Sequence, residues 1–215
     1  MRVESTSRAD PPAASVGLVR GRWIFGYGSL VNPVSFGVTL GRPFTAGRDF
    51  HYAVLSGWGR RWNYGVGHVT GRVGSRDVRI VALGLVAAPG ETANGVIGWV
   101  EDHEIERLDN REREYDRVDV TYAIDVSLTL EAPVETYVPR PEAVARYERH
   151  RADGTAAIEQ RYWDLVSGAF AAFGAEARRR YFDTTPAPDV PILEIERTLH
   201  PEPTKSGQDL SANGD

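Results

Sequence analysis

Six short apolar runs rich in β-branched and aromatic residues lie between Trp23 and Val138, and most are closed by glycine or proline. Runs this short and this often interrupted predict strands rather than helices. Trp23-Ile24-Phe25 stops at Gly26, and His51–Trp58 is broken by Gly57 and Gly59. Val78–Val86 stops at Pro89-Gly90, and Gly95–Val100 follows an Ala93-Asn94-Gly95 turn signal. Val118–Leu128 is the clearest of the six. Val118, Val120, Tyr122, Ile124, Val126 and Leu128 alternate with Arg117, Asp119, Thr121, Ala123, Asp125 and Ser127. That period of two predicts one strand with one face in and one face out. Val134–Val138 is closed by Pro139.

Helical spacing surrounds these runs. Asp102–Arg111 carries Ile105 and Leu108 three apart, and Pro141–His150 opens on a proline suited to a first helical position. Ile158–Phe173 carries an amphipathic stripe of Ile158, Tyr162, Leu165, Val166, Ala169 and Phe173. Pro186, Pro188 and Pro191 then force an extended crossing. Strands clustered centrally, with helices inserted and appended, predict an α+β domain: a small curved mixed β-sheet or barrel with helices packed on it. The 22 glycines suit tight turns and a strongly curved sheet. Polar composition makes residues 1–20 a flexible arm and residues 200–215 a disordered tail, leaving a single domain over residues 21–199.

Composition narrows the chemistry. The chain has no cysteine, which excludes disulfides, zinc–thiolate sites, iron–sulfur clusters and a cysteine nucleophile. Net charge is −5, with no long basic run, so nucleic acid is not an expected partner. No apolar run approaches the ~20 residues of a membrane span. Met1–Ser15 is polar and holds Pro11 and Pro12, unlike a signal-peptide core, so a soluble cytoplasmic protein is expected. The five histidines show no ligand spacing; neither a metal site nor a cofactor is expected. Oligomeric state is not readable from the chain.

Two stretches can carry chemistry. The first is Phe25-Gly26-Tyr27-Gly28-Ser29-Leu30, where an apolar strand runs into a glycine-rich turn. Such a turn lets a ligand approach the backbone, and its N–H groups can converge on an anion. The hydroxyls of Tyr27 and Ser29 add donors. It lacks the third glycine of a dinucleotide fingerprint, and Ser29 has no G-x-S-x-G context. The second is Asp109–Arg117, with four carboxylates and three arginines in nine residues at a helix-to-strand junction. There Glu112 can point into a cleft, although exposed ion pairs alone account for such a charge cluster. A third patch, Trp58–Tyr64, can line a pocket or cap the edge of the core with exposed arginines.

Phe-Gly-Tyr-Gly-Ser-Leu followed some eighty residues on by Leu108-Asp109-x-Arg111-Glu112-x-x-Tyr115-x-Arg117 resembles the γ-glutamylcyclotransferase superfamily, in its ChaC-like and AIG2-like branch. Gly59–Asn63 and Asn94–Val100 are also similar to segments of that family, and the resemblance covers residues 23 to about 140. It implies a small mixed sheet curling toward a barrel. It implies that Tyr27, Gly28, Ser29 and Leu30 cradle the substrate, that Glu112 is the catalytic acid/base, and that Tyr115 contacts substrate. The implied partner is a small-molecule γ-glutamyl compound. Two departures stand out. Glu114 occupies a place where relatives often have glycine, and the Gly-Ser-x-Asp-His-Arg-Gly stretch of glutathione-acting members is absent after Trp62. The second counts against glutathione.

The implied reaction cyclises a γ-glutamyl amide to 5-oxoproline. The substrate's own α-amine is the nucleophile, so a chain without cysteine suits it. The base must accept a proton from an amine of pKa ~7.7–8.0, against ~4.3 for an ordinary Glu, a mismatch of about 5 kcal/mol. Burial and carboxylate neighbours such as Asp109 and Glu114 would raise Glu112 and narrow that gap, with Arg111 and Arg113 opposing. The stretch around Trp58–Arg76 is expected to be a specificity loop. The alternatives are a non-catalytic small-molecule binding domain of the same fold, and a glycoside hydrolase pairing Glu112 with a second carboxylate across one cleft.

Overall fold

The computed structural model describes residues 20–199; the expected N-terminal arm up to residue 19 and the expected tail from residue 200 lie outside the described residues. The strands are β1 (Gly21–Gly26), β2 (Phe50–Val73), β3 (Arg76–Glu101), β4 (Tyr115–Asp119), β5 (Ile124–Val126), β6 (Val134–Pro139), β7 (Ala156–Glu159), β8 (Ile192–Leu193) and β9 (Glu196–Leu199). The helices are α1 (Pro33–Leu40), α2 (Ile105–Arg111), α3 (Pro141–Ala152), α4 (Gln160–Ala169) and α5 (Ala175–Asp183). The main path of the sheet runs β4-β6-β1-β3-β2-β5. β1 and β6 are parallel, and the other neighbours on that path are antiparallel. The path does not close on itself, so the curved mixed sheet is the form adopted and the barrel is not. No described helix is long and apolar enough to cross a membrane.

Two strands dominate. β2 and β3 form one ribbon, turned at Gly74-Ser75 between the partners Val73 and Arg76. Its inner end pairs with β1 and β5, and its outer end carries β7 on β3 and β9 on β2. The glycine signals that divide these strands in the sequence mark bulges instead. Between the pairs Ser56–Thr92 and Trp58–Ala87, the single residue Gly57 faces Ala88–Glu91. Gly57 has φ +77°, which only glycine adopts without strain. Extra residues on one strand bend a ribbon and sharpen its twist. Two further register shifts, at Arg61/Tyr64 and Gly65/Thr70, continue the bend. Pro89-Gly90 therefore closes no strand, and Trp58–Val73 is strand rather than loop. Asn94-Gly95 is no turn either: Val54 pairs with Asn94 and Ala53 with Gly95. A Cβ on Gly95 would sit 2.3 Å from the Gly26 carbonyl oxygen, so this glycine answers to close packing.

Val118–Leu128 is not one strand. β4 ends at Asp119, whose Oδ1 accepts from Thr121 N–H at 2.8 Å. Thr121–Ala123 form a 3-10 turn, and Thr121 Oγ1 accepts from Val134 N–H at 2.8 Å. The chain leaves β6, which pairs β4, and crosses to β2, which pairs β5. Hydrophobic alternation survives such a crossing because it reports faces, not neighbours. Tyr122, expected on the buried face, is instead 84% exposed at the corner. The Ile158–Phe173 helix also starts later than its stripe. Ile158 belongs to β7, paired with Val81 and Ile192, and α4 begins at Gln160. Pro186–Pro191 run without helix or strand, as their prolines predict.

The core lies between the sheet and α1, α2, α4 and α5, around Ile24, Phe25, Phe36, Phe50, Leu83, Ile97, Leu108 and Phe170. Each such side chain contributes ~1.5–3 kcal/mol by leaving water. Arg60 is wholly buried among them. Its guanidinium donates to Asn94 and to Thr185 Oγ1 and lies over the rings of Phe170 and Tyr181. Burial lowers its pKa to about 10, still well above neutral. Asn94 Nδ2 donates onward to Ala177 O at 2.8 Å, so the pair fastens α5 to β3.

Candidate active site

α2 is held by Leu108, which is fully buried, and ends at Glu112. Glu112 is the C-terminal cap, with its N–H on Leu108 O at 2.9 Å. The helix therefore delivers the carboxylate where the chain turns into β4. That carboxylate is 14% exposed, and its Oε1 lies 3.0 Å from Arg111 Nε. Burial raises the Glu112 pKa above the ordinary value, and Arg111 opposes the rise. Asp109 and Glu114, expected to raise it, do not contribute. Asp109 accepts from Tyr137 Oη at 2.6 Å and pairs with Arg117. Glu114 accepts from Tyr64 Oη at 2.7 Å and Gly67 N–H at 3.2 Å, and pairs with Arg146. Burial alone would raise Glu114, but the bonds from Tyr64 and Arg146 hold it below the ordinary range.

Arg111 fixes the site to α1. Its Nη2 donates to Ser29 Oγ at 2.8 Å and Ser35 Oγ at 3.1 Å, and its Nη1 to Ser35 O at 2.9 Å and to Thr39 Oγ1. Asn32 sets α1 in place: its side chain accepts from Val34 N–H at 2.9 Å and Ser35 N–H at 3.1 Å, with Pro33 opening the helix.

Two hollows meet at the carboxylate. The inner one is small and lined by Tyr27, Gly28, Ser29, Leu30, Glu112 and Tyr115, with Leu83, Tyr137 and Tyr162 closing it. The outer one has a volume of about 390 Å³, within the range of small-molecule sites. Ser29, Glu112, Tyr115 and Tyr162 border both. Glu112 is the only carboxylate among the described residues lining either.

Tyrosines make the walls. Tyr115 Oη donates to Leu83 O at 3.3 Å, and Leu83 N–H donates to Tyr162 Oη at 3.3 Å. Leu83 stands opposite the register shift between Arg61 and Tyr64, so the bulge in β2 is where β3 meets these two side chains. Tyr64 stacks on Tyr115 with ring centroids 4.4 Å apart. Burial pushes the Tyr27 and Tyr115 phenols far up, so both stay protonated at neutral pH.

No family model matches the chain, and no curated protein does. Among solved structures, a γ-glutamyl cyclotransferase covers 78% of this chain and 90% of its own length, at 15% identity and a TM-score of 0.50. The γ-glutamyl cyclotransferase specific to glutathione from yeast covers 75% of this chain and 97% of its own, at 14% identity and a TM-score of 0.50. An uncharacterized protein from Homo sapiens covers 80% and 94%, at 14% identity and a TM-score of 0.50. The fold is that of the γ-glutamyl cyclotransferases.

On this γ-glutamyl cyclotransferase fold, all six residues singled out in the sequence border the inner hollow. Two of them differ in detail from expectation. Tyr27 Oη donates to Tyr137 O at 2.8 Å, so its donor is committed to the sheet. Leu30 is a core side chain that also forms part of the wall. In the third patch, Arg60 is buried, Arg61 pairs with Glu91, and Tyr64 alone of Trp58–Tyr64 lines the outer cavity. Tyr162, a member of the helical stripe, and Arg161 beside it also line the outer cavity; a stripe shows which residues face inward, not what they face.

Proposed function

We propose that the protein is a γ-glutamylcyclotransferase-type enzyme that converts a γ-glutamyl amide to 5-oxoproline and a free amine. One observation carries this: Glu112, a largely buried carboxylate of raised pKa and the only one among the described lining residues, stands where a small hollow meets a larger one. The γ-glutamyl head sits where the two hollows join, beside Glu112. Its α-nitrogen bonds to its own γ-carbonyl carbon, and the amide bond to the leaving amine breaks. Glu112 takes the proton from the α-amine and returns it to the leaving nitrogen. Its raised pKa brings it closer to both nitrogens. Backbone amides of the Tyr27–Leu30 turn hold the substrate carboxylate or the developing oxyanion. The tyrosine walls keep water from competing for the carbonyl. Fixing the ring-closing pose removes several kcal/mol of the barrier. A glycosidase needs a second carboxylate across the cleft, and the described lining has none.

The test is release of 5-oxoproline from γ-Glu-Ala, glutathione and γ-glutamyl-lysine, followed by mass spectrometry beside Glu112→Gln. Wild type should form product, and Glu112→Gln should fold and bind substrate but form none. Activity surviving in Glu112→Gln would sink the assigned role. Binding of γ-glutamyl compounds without product from wild type would make the protein a binding domain of this fold.

A further inference from the structure

The outer cavity sets an apolar wall against a polar lining of Ser29, three tyrosines and a set of cationic side chains. Val66 and Val69 from β2, Ile80 and Ala82 from β3 and Leu165 from α4 give it apolar walls. Val69 and Ile80 are almost fully buried, so this surface is packed in place. Charge is confined to Glu112 with Arg111 at the inner end, and to His68, Arg161 and Arg197 elsewhere on the lining. The two distal arginines are not equivalent. Arg197 Nε donates to Glu159 Oε2 at 2.8 Å, so a buried carboxylate already balances it. Arg161, exposed in the first turn of α4, makes no hydrogen bond or ion pair with a described residue. Asp164, the nearest acid on its helix, is bonded by Gln160 at 2.8 Å.

We propose that this cavity selects γ-glutamyl amides whose leaving amine is an α-amino acid with an aliphatic or aromatic side chain and a free carboxylate, and that Arg161 meets that carboxylate. The inference rests on the cyclotransferase activity proposed above, which places the leaving half beyond Glu112. An apolar side chain gains from walls of valine, isoleucine and leucine. A carboxylate gains an arginine with no competing acid. A polyamine leaving group would carry its ammonium into apolar walls, past an unpaired arginine, with no acceptor carboxylate except Glu112. In a cavity open to solvent that ammonium gains nothing from the apolar wall and is repelled by the arginine.

The test compares γ-Glu-Leu, γ-Glu-Leu amide, γ-Glu-Gly and γ-glutamylputrescine, on the full chain and on Arg161→Glu. Exposed charge pairs are worth up to ~1 kcal/mol, so wild type should favour γ-Glu-Leu over its amide about three- to fivefold in kcat/KM. It should favour γ-Glu-Leu over γ-Glu-Gly at least ~10-fold, at ~0.8 kcal/mol per buried methylene. Arg161→Glu should erase or invert the acid-over-amide ratio and keep the Leu-over-Gly ratio, a split that a general loss of structure does not produce. The same ranking is read as Kd by calorimetry on Glu112→Gln, where turnover is not needed. If γ-glutamylputrescine is the best substrate, or if Arg161→Glu leaves the acid-over-amide ratio unchanged, the selectivity is overturned and the activity stands. If wild type releases no 5-oxoproline but Glu112→Gln binds in the stated order, the selectivity stands and the chemistry falls. If nothing is released and nothing binds, both fall.

Discussion

Replacing Arg111 by methionine should move the acid side of the pH–rate profile upward. Among the described residues, the only charged group acting on Glu112 at close range is Arg111, with Nε 3.0 Å from Oε1. A unit charge pair at that distance is worth ~1.4 kcal/mol in a water-like medium and ~5.5 kcal/mol at an effective dielectric of 20. At 1.36 kcal/mol per pKa unit, those limits bracket one to four units. Arg111 is 26% exposed and shares its charge with Ser29, Ser35 and Thr39, so the effect belongs near the lower limit. The sign follows from the base role. Activity requires ionised Glu112, so losing the cation that favours ionisation should shift the acid limb of kcat up by about one to two pH units. The measurement is initial 5-oxoproline release from γ-Glu-Leu across pH 4.5 to 9 for wild type, Arg111→Met and Arg111→Lys. Lysine keeps the charge and loses the fork of hydrogen bonds, so it should lower kcat while leaving the limb nearly in place. A limb that stays fixed in Arg111→Met, or moves down, would refute Glu112 as the titrating base.

Two further changes test the frame. Gly95→Ala sets a Cβ 2.3 Å from Gly26 O and 2.6 Å from the Phe25 ring, with backbone on one side, and should lower unfolding stability by about 1–3 kcal/mol in a urea titration. Tyr64→Phe removes a hydrogen bond that holds the Glu114 pKa down, and should cost about 1–2 kcal/mol at pH 7. A depressed carboxylate stabilises only where it is ionised. The difference between Tyr64→Phe and wild type should therefore be full above the unfolded-state pKa of about 4.3 and fade as pH falls through the lower folded-state value. A difference independent of pH between 3 and 7 would show that the hydroxyl does not act through the ionised Glu114, since phenylalanine keeps the ring stacked on Tyr115.

The sequence carries the site better than the frame around it. Tyr27–Leu30 and Glu112–Tyr115 are each contiguous, and their residues meet because each stretch ends a regular element: β1 in one case, α2 in the other. Tyr64 lines the outer hollow from the edge of the β2 bulge, and Tyr162 borders both hollows from α4 and accepts from Leu83 opposite that bulge; a count of residues per strand is a property of two strands at once. The same limit explains the errors in the strands. Gly57 and Gly95 look alike in one dimension, yet the first has a positive φ in a bulge and the second makes room for Gly26. Ile158 fits a helical stripe and a buried strand equally, and pairing with Val81 decides for the strand. At Thr121 a side-chain acceptor on Asp119 turns the chain while the alternation continues unbroken.

The ribbon's tip at Gly74-Ser75 can lengthen without disturbing the outer cavity below it. Val66 and Val69 lie on one limb and Ile80 and Ala82 on the other, all between the bulge and that tip. Adding one residue to each limb at the tip lengthens the ribbon and leaves every pair below it in register. An unequal insertion below the tip slides one limb past the other and turns its valines outward. Matched changes of length at the tip therefore leave the whole site, from Val66 and Ile80 to Glu112, Arg111 and Ser29, in one geometry and alter only how far the ribbon reaches beyond it.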